Sequence, residues 1–263
     1  MNDSYAQRFG GMGRLFGRQG MERLASAHVC VIGVGGVGSW SVEALARSGV
    51  GRLTLLDMDD ICITNTNRQL PALSNTLGRT KVEVLAERVR LIHPECEVDA
   101  KVEFLLQSNA ERLLKEPFDF VIDAVDRVTI KALIIARCRA AGSPVLTVGG
   151  AGGRRDATSV RCADLAKSGG DELLRLVRRE LRREYEFPAG EGISFGVPCV
   201  YSAEPRVFPW SDGICRAEPE AGGSLKMDCS SGFGAATFVT GAFGFAAAGE
   251  VVRLIAAGPR SED

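Results

Sequence analysis

The chain lacks any cysteine spacing that would organise a metal. Its eight cysteines, Cys30, Cys62, Cys96, Cys138, Cys162, Cys199, Cys215 and Cys229, include no Cys-x-x-Cys pair, which removes zinc cages and thioredoxin-like chemistry from the expectation. Histidine is scarcer still. His28 opens an apolar run and His93 precedes Pro94, so both are read as structural and offer no nucleophilic triad. Net charge is nearly absent: 32 basic against 33 acidic side chains give −1, so a nucleic-acid partner would need a local basic patch. Residues 1–20 lack a continuous apolar stretch and carry Arg8, Arg14 and Arg18 among glycines, unlike a secretory leader. A reducing cytoplasm with free thiols is the expectation.

What is present is ordinary for a globular α/β chain of 263 residues, 45% hydrophobic and 25% charged. A polar-apolar segment at 21–27 leads into Val29-Cys30-Val31-Ile32, an apolar run suited to a strand covered on both faces. The spacing predicts a helix over 42–47, a strand over 52–57, a helix over 81–92 ended by Pro94, and strands near 97–102, 118–123 and 144–148 with a helix over 131–141. This alternation implies a Rossmann-like α/β fold, a mostly parallel sheet with helices on both faces. Beyond Gly149-Gly150-Ala151-Gly152-Gly153 the alternation fades into an irregular C-terminal extension: a basic helix over 171–186 and a loop-rich stretch over 188–223. Residues 233–248 carry no charge and approach the length of a membrane span. Their glycines and alanines favour a tightly packed core helix, with membrane anchoring as the alternative.

Gly33-Val34-Gly35-Gly36-Val37-Gly38 follows the first strand and opens a helix, the context that the Gly-x-Gly-x-x-Gly spacing requires. Glycine permits the turn, and the helix N-terminus offers amide donors to phosphate. Asp57, ending the second strand, is placed to accept ribose hydroxyls, with Asp59 beside it. Asn67, Arg68, Gln69 and Lys81 then supply amides and cations, which suit a triphosphate better than a nicotinamide dinucleotide. Asp123 and Asp126 stand at a strand end where ligands gather; either could hold magnesium, and either could instead cap the following helix.

Taken in order, Gly-Val-Gly-Gly-Val-Gly-Ser-Trp, Leu-Leu-Asp-Met-Asp-Asp, Asn-Thr-Asn-Arg-Gln, Gly-Arg-Thr-Lys-Val-Glu, Asp-Ala-Val-Asp and Gly-Gly-Ala-Gly-Gly resemble the ubiquitin-activating-enzyme-like superfamily. The run 162–167 and the run 228–237 extend the likeness, which is greatest to the tRNA threonylcarbamoyladenosine dehydratase family and covers nearly the whole chain. The resemblance implies one domain over 1–263, with the nucleotide-binding core at 28–150. It implies ATP-dependent activation of the threonyl carboxylate of threonylcarbamoyladenosine, next to the tRNA anticodon, followed by cyclization with loss of water. Carried over by motif, Gly35, Gly36 and Asp57 bind adenosine, Asn67, Arg68 and Lys81 the phosphates, and Asp126 the magnesium. A monovalent cation, Na+ or K+, a homodimer and a sulfur-mobilising partner are further implied possibilities.

This chain departs from the superfamily at the arginine that reaches the neighbouring subunit's site. Gly11 stands where the second Arg of an Arg-aromatic-x-Arg pattern would fall, leaving Arg14 or Arg8 to serve. The missing Cys-x-x-Cys pairs argue against the sulfur-carrier adenylyltransferases, which remain the runner-up; a nucleotide-binding membrane-associated scaffold and a nicotinamide oxidoreductase are alternatives of other classes. Arg175, Arg178, Arg179, Arg182 and Arg183 share neighbouring helical turns and form a candidate RNA-backbone patch, against a salt-bridged surface helix using Asp171, Glu172, Glu180 and Glu184. Cys199 is read as an inert buried thiol, with a thioester role as the alternative.

Overall fold

The computed structural model describes residues 3–115, 117–190, 192–220 and 233–258. In chain order the elements are α1 (Asp3–Ser26), β1 (His28–Ile32), α2 (Gly38–Arg47), β2 (Arg52–Leu56), α3 (Lys81–Ile92), β3 (Glu97–Lys101), α4 (Ala110–Leu113), β4 (Phe120–Asp123), α5 (Val128–Ala140) and β5 (Val145–Val148). They continue with β6 (Val160–Asp164), α6 (Glu172–Glu184), β7 (Pro198–Ser202), the short pair β8 (Phe208–Pro209) and β9 (Cys215–Arg216), and α7 (Thr237–Ala257).

β1 shows why the apolar run could not be amphipathic. Val29 and Val31 enter one core, and Cys30 and Ile32 the other, because successive side chains leave a strand on opposite faces. The seven-stranded sheet has the order β3-β2-β1-β4-β5-β7-β6. Every ladder is parallel except β6 on β7. Strand order reverses between β1 and β4, so the crevice at their carboxyl ends is where an open α/β sheet binds its ligand.

One face is covered by α1, α2, α3 and α7, the other by α4, α5 and α6. α3 buries Val82, Leu85, Ala86 and Val89 at helical spacing, and α6 buries Leu174, Val177 and Leu181. In α7 ten residues from Val239 to Ala256 are buried. A Cβ on Gly244 would meet the Val37 carbonyl oxygen at 2.6 Å, and the Gly244 carbonyl accepts from Ser41 Oγ at 3.0 Å. Small residues therefore let α7 lie directly on α2. The helix is long and apolar enough to cross a membrane, and half of its most apolar window is buried inside the fold.

Two expectations need correction. The segment before β1 is a helix from Asp3, interrupted at Gly17 (φ 72°, ψ 171°). Its glycines depress helix propensity, and tertiary bonds hold it: Tyr5 Oη donates to the Gly49 carbonyl at 2.6 Å and Arg23 Nε to the Ala256 carbonyl at 2.9 Å. The C-terminal extension is also less irregular than its composition suggests, because β6 and β7 extend the sheet. The 228–232 part of the motif run falls outside the described residues.

Candidate active site

The glycine turn is built by close approach. Gly33 has φ +82°, donates to the Leu56 carbonyl at 2.8 Å, and a Cβ there would stand 3.0 Å from the Ala124 carbonyl group. On Gly38 a Cβ would lie 1.9 Å from the Gly33 carbonyl oxygen, so only glycine lets α2 start against the strand. Asp57 ties the loop down: Oδ2 accepts from the Val34 amide and Oδ1 from the Asp59 amide, each at 2.9 Å. The side chain stays partly exposed at the crevice, where ribose hydroxyls would reach it.

Residues Asn67, Arg68 and Gln69 are drawn over this turn by α2 and α7. Trp40 Nε1 donates to the Arg68 carbonyl at 3.1 Å and Thr240 Oγ1 to the same oxygen at 3.2 Å, while Asn67 Nδ2 donates to the Ala235 carbonyl at 2.7 Å. The Arg68 side chain passes over Gly36, its Cγ and Cδ 3.6 Å from where a Cβ would be. Nη1 donates to the Thr64 carbonyl and Asn67 Oδ1. Gln69 is buried beside Gly35, and its Oε1 has no partner among the described residues. Lys81 is buried to its ammonium, which meets Asp59 Oδ2 at 2.7 Å. Such a cradle fits a triphosphate: the backbone amides of the glycine turn and two cations lie on one edge.

The two aspartates at the end of β4 and in the loop after it separate. Asp123 is wholly buried; its carboxylate meets Lys131 Nζ at 3.0 Å and accepts from Thr147 Oγ1 at 2.7 Å. It is therefore not a cofactor ligand, a correction to the expectation. Asp126 is exposed and makes no hydrogen bond or ion pair among the described residues. Neither caps α5, whose N-cap Arg127 has no side-chain bond. A free carboxylate beside the phosphate cradle fits magnesium, which takes one or two carboxylates together with phosphate oxygens. Among the described residues no three acidic, cysteine or histidine side chains cluster as an independent metal cage.

The ThiF family matches residues 11–262. The chain belongs to that family. It is 50% identical over 250 residues to the tRNA threonylcarbamoyladenosine dehydratase of Haemophilus influenzae, covering 95% of this chain and 94% of the relative. To the Escherichia coli dehydratase it is 46% identical over 258 residues, covering 98% and 96%. The crystal structure of the E. coli tRNA N6-threonylcarbamoyladenosine dehydratase in complex with ATP superposes with a TM-score of 0.86 at 42% identity, covering 97% of this chain and 96% of that one.

Other candidates in this ThiF-family chain scatter. Arg14 is exposed on α1 and makes no ion pair among the described residues. Arg8 donates to the Ile92 carbonyl at 3.3 Å, near Tyr5, Phe9 and His93 at the amino edge of the sheet, away from its own chain's glycine turn. The basic helix is largely internally paired: Arg175 with Glu172, and Arg183 with Glu180 and Glu184. Arg178 turns inward to the Leu165 carbonyl and Ser168 Oγ, so it leaves the proposed RNA patch. Arg182 donates to the Pro188 carbonyl and lies 5.3 Å over the Phe195 ring, and Arg179 is exposed. Cys199 is fully buried in β7, and burial pushes its thiol up to about 12, which removes the thiolate a thioester needs.

Sequence reasoning missed the buried pair Arg154–Asp171, at 2.9 Å. Arg154 also donates to the Gly150 and Glu204 carbonyls at 2.7 and 2.6 Å, and Asp171 accepts from the Gly150 amide at 3.0 Å. A Cβ on Gly149 would stand 2.5 Å from Asp171 Oδ2. The glycine cluster after β5 thus makes room for an ion pair that anchors α6. The available signal was Asp171 in N-cap position, where its Oδ1 does accept from the Leu174 amide.

Proposed function

We propose that this chain uses ATP to adenylate the threonyl carboxylate of threonylcarbamoyladenosine in tRNA, next to the anticodon, and closes the side chain into a ring with loss of water. The observation that carries the reading is the gathering of Asn67, Arg68 and Lys81 around the glycine turn with Asp126 free beside them. The full-length similarity to tRNA threonylcarbamoyladenosine dehydratases, one of them crystallised with ATP, supports the same conclusion.

A carboxylate is a poor electrophile. Its attack on the α-phosphorus of ATP forms an acyl adenylate and expels pyrophosphate; a nitrogen of the same side chain then attacks the acyl carbon and AMP departs with the oxygen. Intramolecular geometry supplies the rate advantage of the second step. Asp57 orients the ribose, Arg68 and Lys81 balance phosphate charge, Asn67 donates a hydrogen bond to the phosphates, and Asp126 holds magnesium, which would neutralise the leaving pyrophosphate. Gln69 offers its free acceptor to the nucleotide.

The wider assignment has the chain working in the cytoplasm as a homodimer, with Arg14 reaching the partner's site. Arg175, Arg179, Arg182 and Arg183 lie along the tRNA backbone, and a monovalent cation and a sulfur-mobilising partner assist. Mass spectrometry of nucleosides after incubation with ATP and modified tRNA tests the core of this. Loss of one water from threonylcarbamoyladenosine is expected; an unchanged nucleoside in the presence of bound ATP overturns it.

A further inference from the structure

Arg206 lies in the connection after β7 and is only partly exposed, yet its Nε is buried and has no hydrogen-bond partner among the described residues. Among the described residues it makes no ion pair. Its guanidinium carbon stands 5.1 Å from the centroid of the Phe233 ring, and Nη2 lies against Gly150, 2.1 Å from where a Cβ would be. The neighbouring acids are committed elsewhere. Asp171 serves Arg154, Gly150 and Leu174. The Glu204 carboxylate accepts from the Arg155 amide at 3.0 and 3.1 Å and from the Asp156 amide at 3.0 Å. Every guanidinium nitrogen of Arg154 is hydrogen-bonded, whereas among the described residues Arg206 makes no ion pair.

Arg206 lies close to the nucleotide crevice. Asp123, the last residue of β4, pairs with Thr147 of the parallel β5, and Gly150 follows two residues after β5 ends at Val148, at the carboxyl edge of the sheet. Arg206, lying against Gly150, therefore sits at the carboxyl edge, where an open parallel sheet binds its ligand. The segment 233–235 connects the two halves: the Gly234 carbonyl accepts from the Gly153 amide and the Ala235 carbonyl from Asn67 Nδ2, each at 2.7 Å. Phe233, under Arg206, and Asn67, in the phosphate cradle, are therefore joined by two residues of chain.

We propose that Arg206 binds the carboxylate that is to be adenylated. This rests on the function proposed above. A guanidinium presents paired donors that match a carboxylate, and the Phe233 face fixes its plane. Its charge offsets the repulsion between an incoming carboxylate and the triphosphate. One carboxylate oxygen stays on Arg206 while the other attacks the α-phosphorus; the new C–O–P bond forms as the bond to the β-phosphate breaks, and pyrophosphate carries the electron pair away.

The test compares the unaltered protein with Arg206→Ala and Arg206→Lys on tRNA bearing threonylcarbamoyladenosine and on the same tRNA without the modification. In Arg206→Ala, KM for modified tRNA is expected to rise roughly ten- to a hundred-fold, the worth of a hydrogen bond to a charged group. Protection by ATP against thermal unfolding and affinity for unmodified tRNA should stay unchanged, and Arg206→Lys should recover part of the loss. Where Arg206→Ala itself melts early, Arg206→Gln carries the same comparison. Unchanged KM and kcat overturn the inference. So does an equal loss of affinity for unmodified tRNA, which would put Arg206 on the RNA backbone, and so does loss of ATP protection. If the unaltered protein converts no substrate, the function proposed above falls, and this inference with it.

Discussion

Asp123 and Lys131 face each other at 3.0 Å with neither side chain reaching solvent. The ammonium also donates to the Val125 carbonyl at 2.9 Å, and so fixes the turn that presents Asp126. Removing one partner leaves an uncompensated buried charge, which costs about 3–5 kcal/mol. Lys131→Met should therefore lower the unfolding free energy in urea by about that amount, and a loss under about 1 kcal/mol would show that the pair is not structural.

Asp126 should behave in the opposite way. It is exposed and unpartnered among the described residues, so Asp126→Ala is expected to change stability by less than about 0.5 kcal/mol while abolishing ATP-dependent ring closure. Full activity in a folded Asp126→Ala protein would withdraw the magnesium role.

ATP at a hundred times its Kd should stabilise the protein by about 2.7 kcal/mol. Arg68→Met and Lys81→Met are each expected to erase most of that thermal shift. A full shift in both variants would mean that neither cation touches phosphate.

Gly38→Ala places a methyl 1.9 Å from the Gly33 carbonyl oxygen, and both are backbone-bound. We expect a loss of about 1–3 kcal/mol together with loss of ATP protection, since the turn must open to admit the methyl. Retention of wild-type ATP binding would contradict the close approach.

His93 is buried against Tyr5 and Phe9, and burial holds its imidazole below the usual 6.5. The unfolded chain takes up the proton first as the medium acidifies, so stability present above about pH 6.5 should fall as pH drops below it. His93→Phe removes that contribution. Melting curves from pH 7.5 to 5 should show a steeper decline in the unaltered protein, and parallel declines would count against the burial effect.

Much of the core was legible because its signals are local. The alternation through β1, the helical spacing of α3 and the glycine run between β1 and α2 depend on neighbours within a dozen residues. The distinction between Asp123 and Asp126 was harder to see. Both follow the same apolar strand, and the clue was Lys131, a lone cation beside Ala132, Leu133, Ile134 and Ile135. The basic helix misled for a related reason: spacing groups Arg178 with its neighbours, but only packing turns it toward Ser168.

By itself, the sequence determined the βαβ order, the phosphate-binding turn and the set of charged groups downstream of Asp57, because backbone sterics and side-chain periodicity act over short separations. Tertiary structure decided which charges are spent and which remain. It committed Asp123 to Lys131 and Asp171 to Arg154 and, among the described residues, left Asp126 and Arg206 outside any ion pair. Those choices join residues far apart in the chain through desolvation and close packing, whose strength depends on what surrounds a group in space.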